Sequence, residues 1–84
     1  MSKQISAGYN YRGDFQALVA AVRKAIDQME LKTEYFSATE TLMSCEVSEK
    51  MKWLTTNWPV KFSVEATYKD GASVLMVQAS STMP

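Results

Sequence analysis

Alternation of apolar and polar residues at the start of the chain predicts a β-strand. Between Ile5 and Tyr11 every second residue is apolar or aromatic, and the residues between them are polar or glycine. Arg12-Gly13 ends this pattern, and Asp14 follows where its carboxylate can accept hydrogen bonds from the first turn of a helix. We therefore expect a half-buried strand that leads through a short turn into a helix.

The period then changes to the three-to-four-residue spacing of an amphipathic helix. The polar residues of this stretch lie away from the apolar stripe, and four alanines favour helix. The stripe consists of Phe15, Leu18, Val19, Val22, Ile26 and Met29. We expect this helix to end near Met29 or Glu30, although no glycine marks its end.

Alternation returns after the helix in four segments, which run over residues 31–38, 41–48, 60–68 and 73–81. The third segment is the clearest, because its apolar and aromatic residues all fall on one side. Asp70-Gly71 precedes the last segment and favours a two-residue hairpin, since both residues tolerate positive φ. The predicted element order is β-α-β-β-β-β, in a single α+β domain over residues 1–84.

Short connections predict that the last four strands form an antiparallel meander. The first strand can then run antiparallel beside the fifth, which gives a five-stranded sheet of order 1-5-4-3-2 with the helix on one face. Pairing the first strand with the second, or inserting it between others in a parallel pair, is the alternative. We favour the antiparallel arrangement because parallel pairs are less stable per residue. The topology is similar in outline to a helix-grip fold, in which a curved sheet wraps a helix and can hold an apolar ligand.

Composition narrows the function classes. A chain of 84 residues is large enough for one core, and a monomer of this size is only marginally stable. Self-association is therefore one of our hypotheses. Nine basic residues balance nine acidic ones, which argues against nucleic acid and anionic membranes as partners. The N-terminal residues lack the apolar stretch of a signal peptide, and no run approaches the ~20 apolar residues of a membrane span. We therefore expect a cytoplasmic protein.

Enzymatic chemistry is not expected from these residues. The chain has no histidine, which removes Ser-His and Cys-His nucleophile pairs and the commonest general base. With one cysteine, Cys45, the common zinc-ligand spacings are also absent, and we expect neither metal nor cofactor. Cys45 is expected to point into the core, where a free cysteine behaves as a small hydrophobe.

The connection over residues 49–59 carries both tryptophans and two basic residues between two strands. Tryptophan and lysine on a loop can anchor a protein interface, stack on a base or insert at a membrane surface. The structural alternative is that a tryptophan folds back onto the open end of the core. The candidate partner-binding residues are Lys50, Lys52, Trp53, Leu54 and Trp58.

The sheet face opposite the helix is a second candidate, because the hairpin register turns Leu42, Val74 and Met76 outward. An apolar cluster there would form a dimer face, whereas scattered exposed residues would have no function. The two edge strands are a third candidate, since pairing with a second copy would extend the sheet. Lys32 and Glu34 discourage such pairing at the second strand.

We therefore expect a small non-enzymatic binding or assembly module, whose partner is a protein or a second copy. The alternative is a carrier or sensor of a small apolar ligand held between sheet and helix. Its predicted lining residues are Phe15, Val19, Val22, Phe62, Val64 and Val77. Weak binding of nucleic acid or a membrane surface through residues 49–59 ranks third.

Overall fold

The computed structural model describes residues 2–49 and 60–82, which form one helix and five strands. The strands make one antiparallel sheet of order β1-β5-β4-β3-β2, so the predicted α+β class and strand order are confirmed. The elements are β1 (Ser2–Tyr11), α1 (Phe15–Gln28), β2 (Lys32–Ala38), β3 (Leu42–Ser48), β4 (Lys61–Lys69) and β5 (Ala72–Thr82).

The helix begins where the sequence predicts. Asp14 has an extended backbone, and its side chain accepts a hydrogen bond from the backbone N–H of Gln16 at 3.4 Å. This bond satisfies one of the free donors of the first turn. The Gln16 side chain donates in turn to the carbonyl of Thr39 at 3.5 Å. The start of α1 therefore lies beside the turn between β2 and β3.

The helix ends in a left-handed residue that is not glycine. Glu30 has a φ of 55°, and its N–H donates to the carbonyl of Asp27 at 3.1 Å. The N–H of Leu31 donates to the carbonyl of Ile26, also at 3.1 Å. These two bonds make a Schellman motif, which satisfies the last carbonyls of the helix. Backbone hydrogen bonds thus stop the helix without the expected sequence signal.

The core lies between α1 and the side of the sheet that carries β3 and β4. Met43, Cys45 and Ala66 are fully buried, and Phe15 of the helix packs at 6.0 Å from the ring of Tyr68. The buried apolar cluster consists of Phe15, Leu18, Val19, Ile26, Met43, Cys45, Val47, Val64 and Ala66. The helical stripe from Phe15 to Ile26 and the alternate residues of β3 and β4 therefore meet as the sequence predicts. Met29, the last residue of the predicted stripe, follows the helix and is exposed, so the prediction is wrong there.

The helix leaves the β1 side of the same sheet face uncovered. Ile5 is 72% exposed and Tyr9 is 59% exposed, although both belong to the apolar side of β1. A helix is about 10 Å wide and neighbouring strands are about 4.8 Å apart, so one helix covers two or three strands of five. The prediction that β1 is half-buried through its apolar side is therefore wrong for Ile5 and Tyr9.

Candidate interaction surface

A partly exposed apolar surface lies on the helix side of β1 and β5, where Leu75 and Val77 pack against the core and Ile5 and Tyr9 are exposed. The strands pair with Ile5 opposite Ala79, Ala7 opposite Val77, and Tyr9 opposite Leu75. Opposite residues of an antiparallel pair share a face, so the six side chains form one surface without a charged group. We call Ile5, Ala7, Tyr9, Leu75, Val77 and Ala79 the apolar margin.

The apolar margin continues from the core rather than forming a separate patch. A cross-strand row runs from Ile5 through Ala79 and Phe62 to Val47, which is 1% exposed. Ala79 and Phe62 are half-buried between these extremes. The same apolar face thus passes from full burial to high exposure within four strands.

The two flanks of the helix differ in character. Arg23 lies 4.3 Å above the ring of Phe36 on β2, which places that flank over the β2 side of the sheet. At 100° per residue, Ala21, Ala25 and Met29 lie on the other flank, which faces away from β2. All three are exposed, and Met29 is 63% exposed. Uncharged side chains therefore border the apolar margin on the helix as well as on the sheet.

A cleft of about 660 Å³ lies on the opposite side, between α1 and β2. Its walls are Ala20, Arg23, Lys24, Ile26, Asp27, Leu31, Thr33 and Phe36. Arg23 already stacks on Phe36 inside it, and Asp27 offsets part of the positive charge. None of the six residues predicted to hold an apolar ligand lines this cleft. Phe15, Val19 and Val64 of that set belong to the packed core.

The outer face of the sheet does not form one apolar patch. Leu42, Val74 and Met76 are 49%, 44% and 44% exposed, so their predicted outward orientation is confirmed. However, Thr67 of β4 pairs with both Leu42 and Val74 and lies between them. Glu65 is the β4 neighbour of Met76. Val74 and Met76 are therefore neighbours on the outer side of β5, whereas Thr67 sets Leu42 apart from them and Glu65 flanks Met76.

The two edges of the sheet differ in their protection against strand pairing. On β2 the pairing register shifts between Thr33 and Tyr35, and Lys32 contacts Glu34 at 3.6 Å. Irregular pairing and charged side chains both discourage a further strand. The β1 edge pairs regularly with β5 along its whole length, and Lys3 is the one charged residue in its sequence. The sequence predicted both edges and the protective charges on β2, whereas the register shift in β2 is seen only in the structure.

Cys45 is fully buried in β3, as predicted, and desolvation by burial raises the pKa of its thiol. A raised pKa disfavours the nucleophilic thiolate. Across the described ranges 2–49 and 60–82, no group of three or more cysteine or carboxylate side chains could hold a metal ion. The partner-binding candidates Lys50, Lys52, Trp53, Leu54 and Trp58 lie outside the described residues.

Comparison of the chain with protein-family models, with curated proteins and with solved structures finds no match. Among the residues that the structure describes, no helix has the length and apolar character needed to cross a bilayer. The geometry of the chain itself is therefore the basis of a functional proposal.

Proposed function

We propose that this chain is a small, non-enzymatic, self-associating module of the cytosol, and that the apolar margin is its contact surface. One observation carries the proposal, namely the high exposure of Ile5 and Tyr9 on a face that continues the core. Contiguous exposed apolar surface is uncommon on monomers and tends to mark contact sites. The lone, buried Cys45 suits a reducing compartment.

A second copy of the chain is the partner that the charges favour. The net charge of the chain is zero, so two copies do not repel each other at long range. The margin itself brings no charged side chain into the contact, which avoids the cost of desolvating an unpaired charge. A chain of this size also gains more from a covering partner than a larger domain would.

The test is the molecular mass of the chain in solution as a function of concentration. Sedimentation or light scattering is expected to give twice the 9.4 kDa chain mass at high concentration. Ile5→Lys is expected to weaken the dimer roughly 30-fold or more, because burying such a side chain is worth about 2 kcal/mol. Since Ile5 is exposed in the single chain, the substitution leaves its fold intact.

Val74→Lys is the matched control on the outer face, because Val74 is also an exposed β-branched residue in a strand. It is expected to leave the dimer unchanged. Dissociation by Val74→Lys but not by Ile5→Lys would transfer the contact to the outer face around Leu42, Val74 and Met76. A monomer at all concentrations would refute self-association.

A further inference from the structure

We infer that two copies join through their β1 edges, in antiparallel register around Ala7, to make one continuous ten-stranded sheet. This inference rests on the proposed self-association and specifies its geometry. An edge strand offers a row of free backbone N–H and C=O groups that an added strand can pair with. The added strand here is the β1 strand of a second copy.

The contrast between the two edges selects β1. The irregular, charged β2 edge has the features that block strand addition, with the Lys32–Glu34 contact and the register shift next to it. The β1 edge has ten residues in regular pairing, and its one charged residue, Lys3, lies near the start of the strand, outside the stretch from Gln4 to Tyr11. The helix does not obstruct this edge, since Gln16 and Arg23 tie α1 to the β2 side.

Symmetry and the alternation of side chains restrict the register. A two-fold axis perpendicular to the sheet places the same strand opposite itself and keeps both helices on one face. The axis must pass through a residue rather than between two residues, because a one-residue slip would place the apolar side against the polar side. Axes at Ser6, Ala7 and Gly8 satisfy this condition near the middle of β1.

Side-chain complementarity selects Ala7 among these three. With the axis at Ala7, Ile5 of each copy lies opposite the partner's Tyr9, and the two Ala7 residues face each other. Aromatic and β-branched residues are favourable cross-strand neighbours. An axis at Ser6 places Ile5 opposite the partner's Ala7, and an axis at Gly8 places it opposite the partner's Tyr11, which already packs against its own core. The Ala7 register therefore places the two most exposed side chains of the margin beside each other across the new strand pair.

The register can be tested with one added cysteine in the full chain, since the native Cys45 is buried. Opposite residues of an antiparallel pair have Cα atoms about 4.5–5.5 Å apart, which is within the range of a disulfide. Ala7→Cys is therefore expected to form a covalent dimer under mild oxidation. Ser37→Cys on the exposed β2 strand is the control for random collision. Cross-linking at Ala7 should be roughly 1,000-fold faster than at Ser37, given an effective concentration near millimolar and a protein concentration near micromolar.

Ser6→Cys separates the neighbouring register, because faster cross-linking there than at Ala7 would move the axis and overturn the Ala7 register. Each variant is first checked for native circular dichroism and for its mass before oxidation. Gly8→Cys tests the third register in the same way. A dimeric mass without fast cross-linking at Ser6, Ala7 or Gly8 would overturn edge pairing and leave self-association in place. A monomeric mass would overturn both. Slowed backbone amide exchange over residues 4–10 at high concentration of the unmodified chain is the second expected result.

Discussion

Ile5 of β1 and Val47 of β3 lie in one cross-strand row on the helix side of the sheet, yet Ile5 is 72% exposed and Val47 is 1% exposed. Both side chains are β-branched and aliphatic, so residue type does not explain the difference. The position of α1 explains it, because the helix covers β3 and leaves β1 open. The two ends of the row should therefore respond differently to the same kind of substitution.

Truncation at the two ends of the row tests this division. Val47→Ala is expected to lower the free energy of unfolding by about 2 kcal/mol, because it leaves a cavity in the packed core. Ile5→Ala is expected to cost less than about 0.5 kcal/mol in the monomer. Urea unfolding at a concentration below any dimerisation measures both values. Equal losses would mean that another part of the same chain covers Ile5.

Ser73 carries a buried hydroxyl that has no hydrogen-bond partner among the described residues. It lies opposite Tyr11 and Tyr68 on the helix side of β5. Ser73→Ala is expected to raise the free energy of unfolding by up to about 1 kcal/mol, because it removes an unsatisfied buried polar group. The control is Ser44→Ala, since Ser44 does bond to the Tyr35 hydroxyl at 3.1 Å. Loss of stability in Ser73→Ala would show that the hydroxyl is satisfied in solution.

Glu30 adopts a φ of 55°, which is unfavourable for a residue with a Cβ atom. Glu30→Gly is expected to stabilise the fold by roughly 0.5–1 kcal/mol, because glycine occupies the left-handed region without that penalty. Thermal unfolding followed by circular dichroism measures the change. Lys24→Gly in the exposed middle of α1 is the control and should destabilise by about 1 kcal/mol. The same sign of change in both variants would contradict the assigned backbone conformation.

Burial raises the pKa of the Cys45 thiol, so the folded chain retains this proton at a higher pH than the unfolded chain. The resulting stability is complete below the ordinary thiol pKa of about 8.5 and is lost as the pH rises through the folded value. We expect stability to fall more steeply above about pH 8.5 in the native chain than in Cys45→Ala. Urea unfolding at a series of pH values compares the two slopes.

The same burial predicts slow reaction of Cys45 with a thiol reagent in the folded chain and fast reaction in urea. A thiol that reacts equally fast in both states would contradict its place in the core.

The candidate surface was only partly predictable from sequence. Alternation identified the inward and outward sides of each strand, so the outward direction of Val74 and Met76 was correctly predicted. The exposure of Tyr9 was not, because alternation reports which side of a strand a residue occupies and not whether another element covers that side. The irregular pairing at Thr33 also has no signal in the pattern, since it depends on how β2 meets β3.

The sequence by itself determined the elements, their order and the sheet topology, because hydrophobic periodicity, an Asp cap and an Asp-Gly turn act over a few neighbouring residues. Tertiary structure decided which part of the apolar face is core and which part is margin. That division depends on where a single narrow helix packs on a sheet of five strands. Local hydrophobic patterns do not report which strands the helix covers. The physical difference between Ile5 and Val47 is therefore one of coverage, which arises only when the chain has folded.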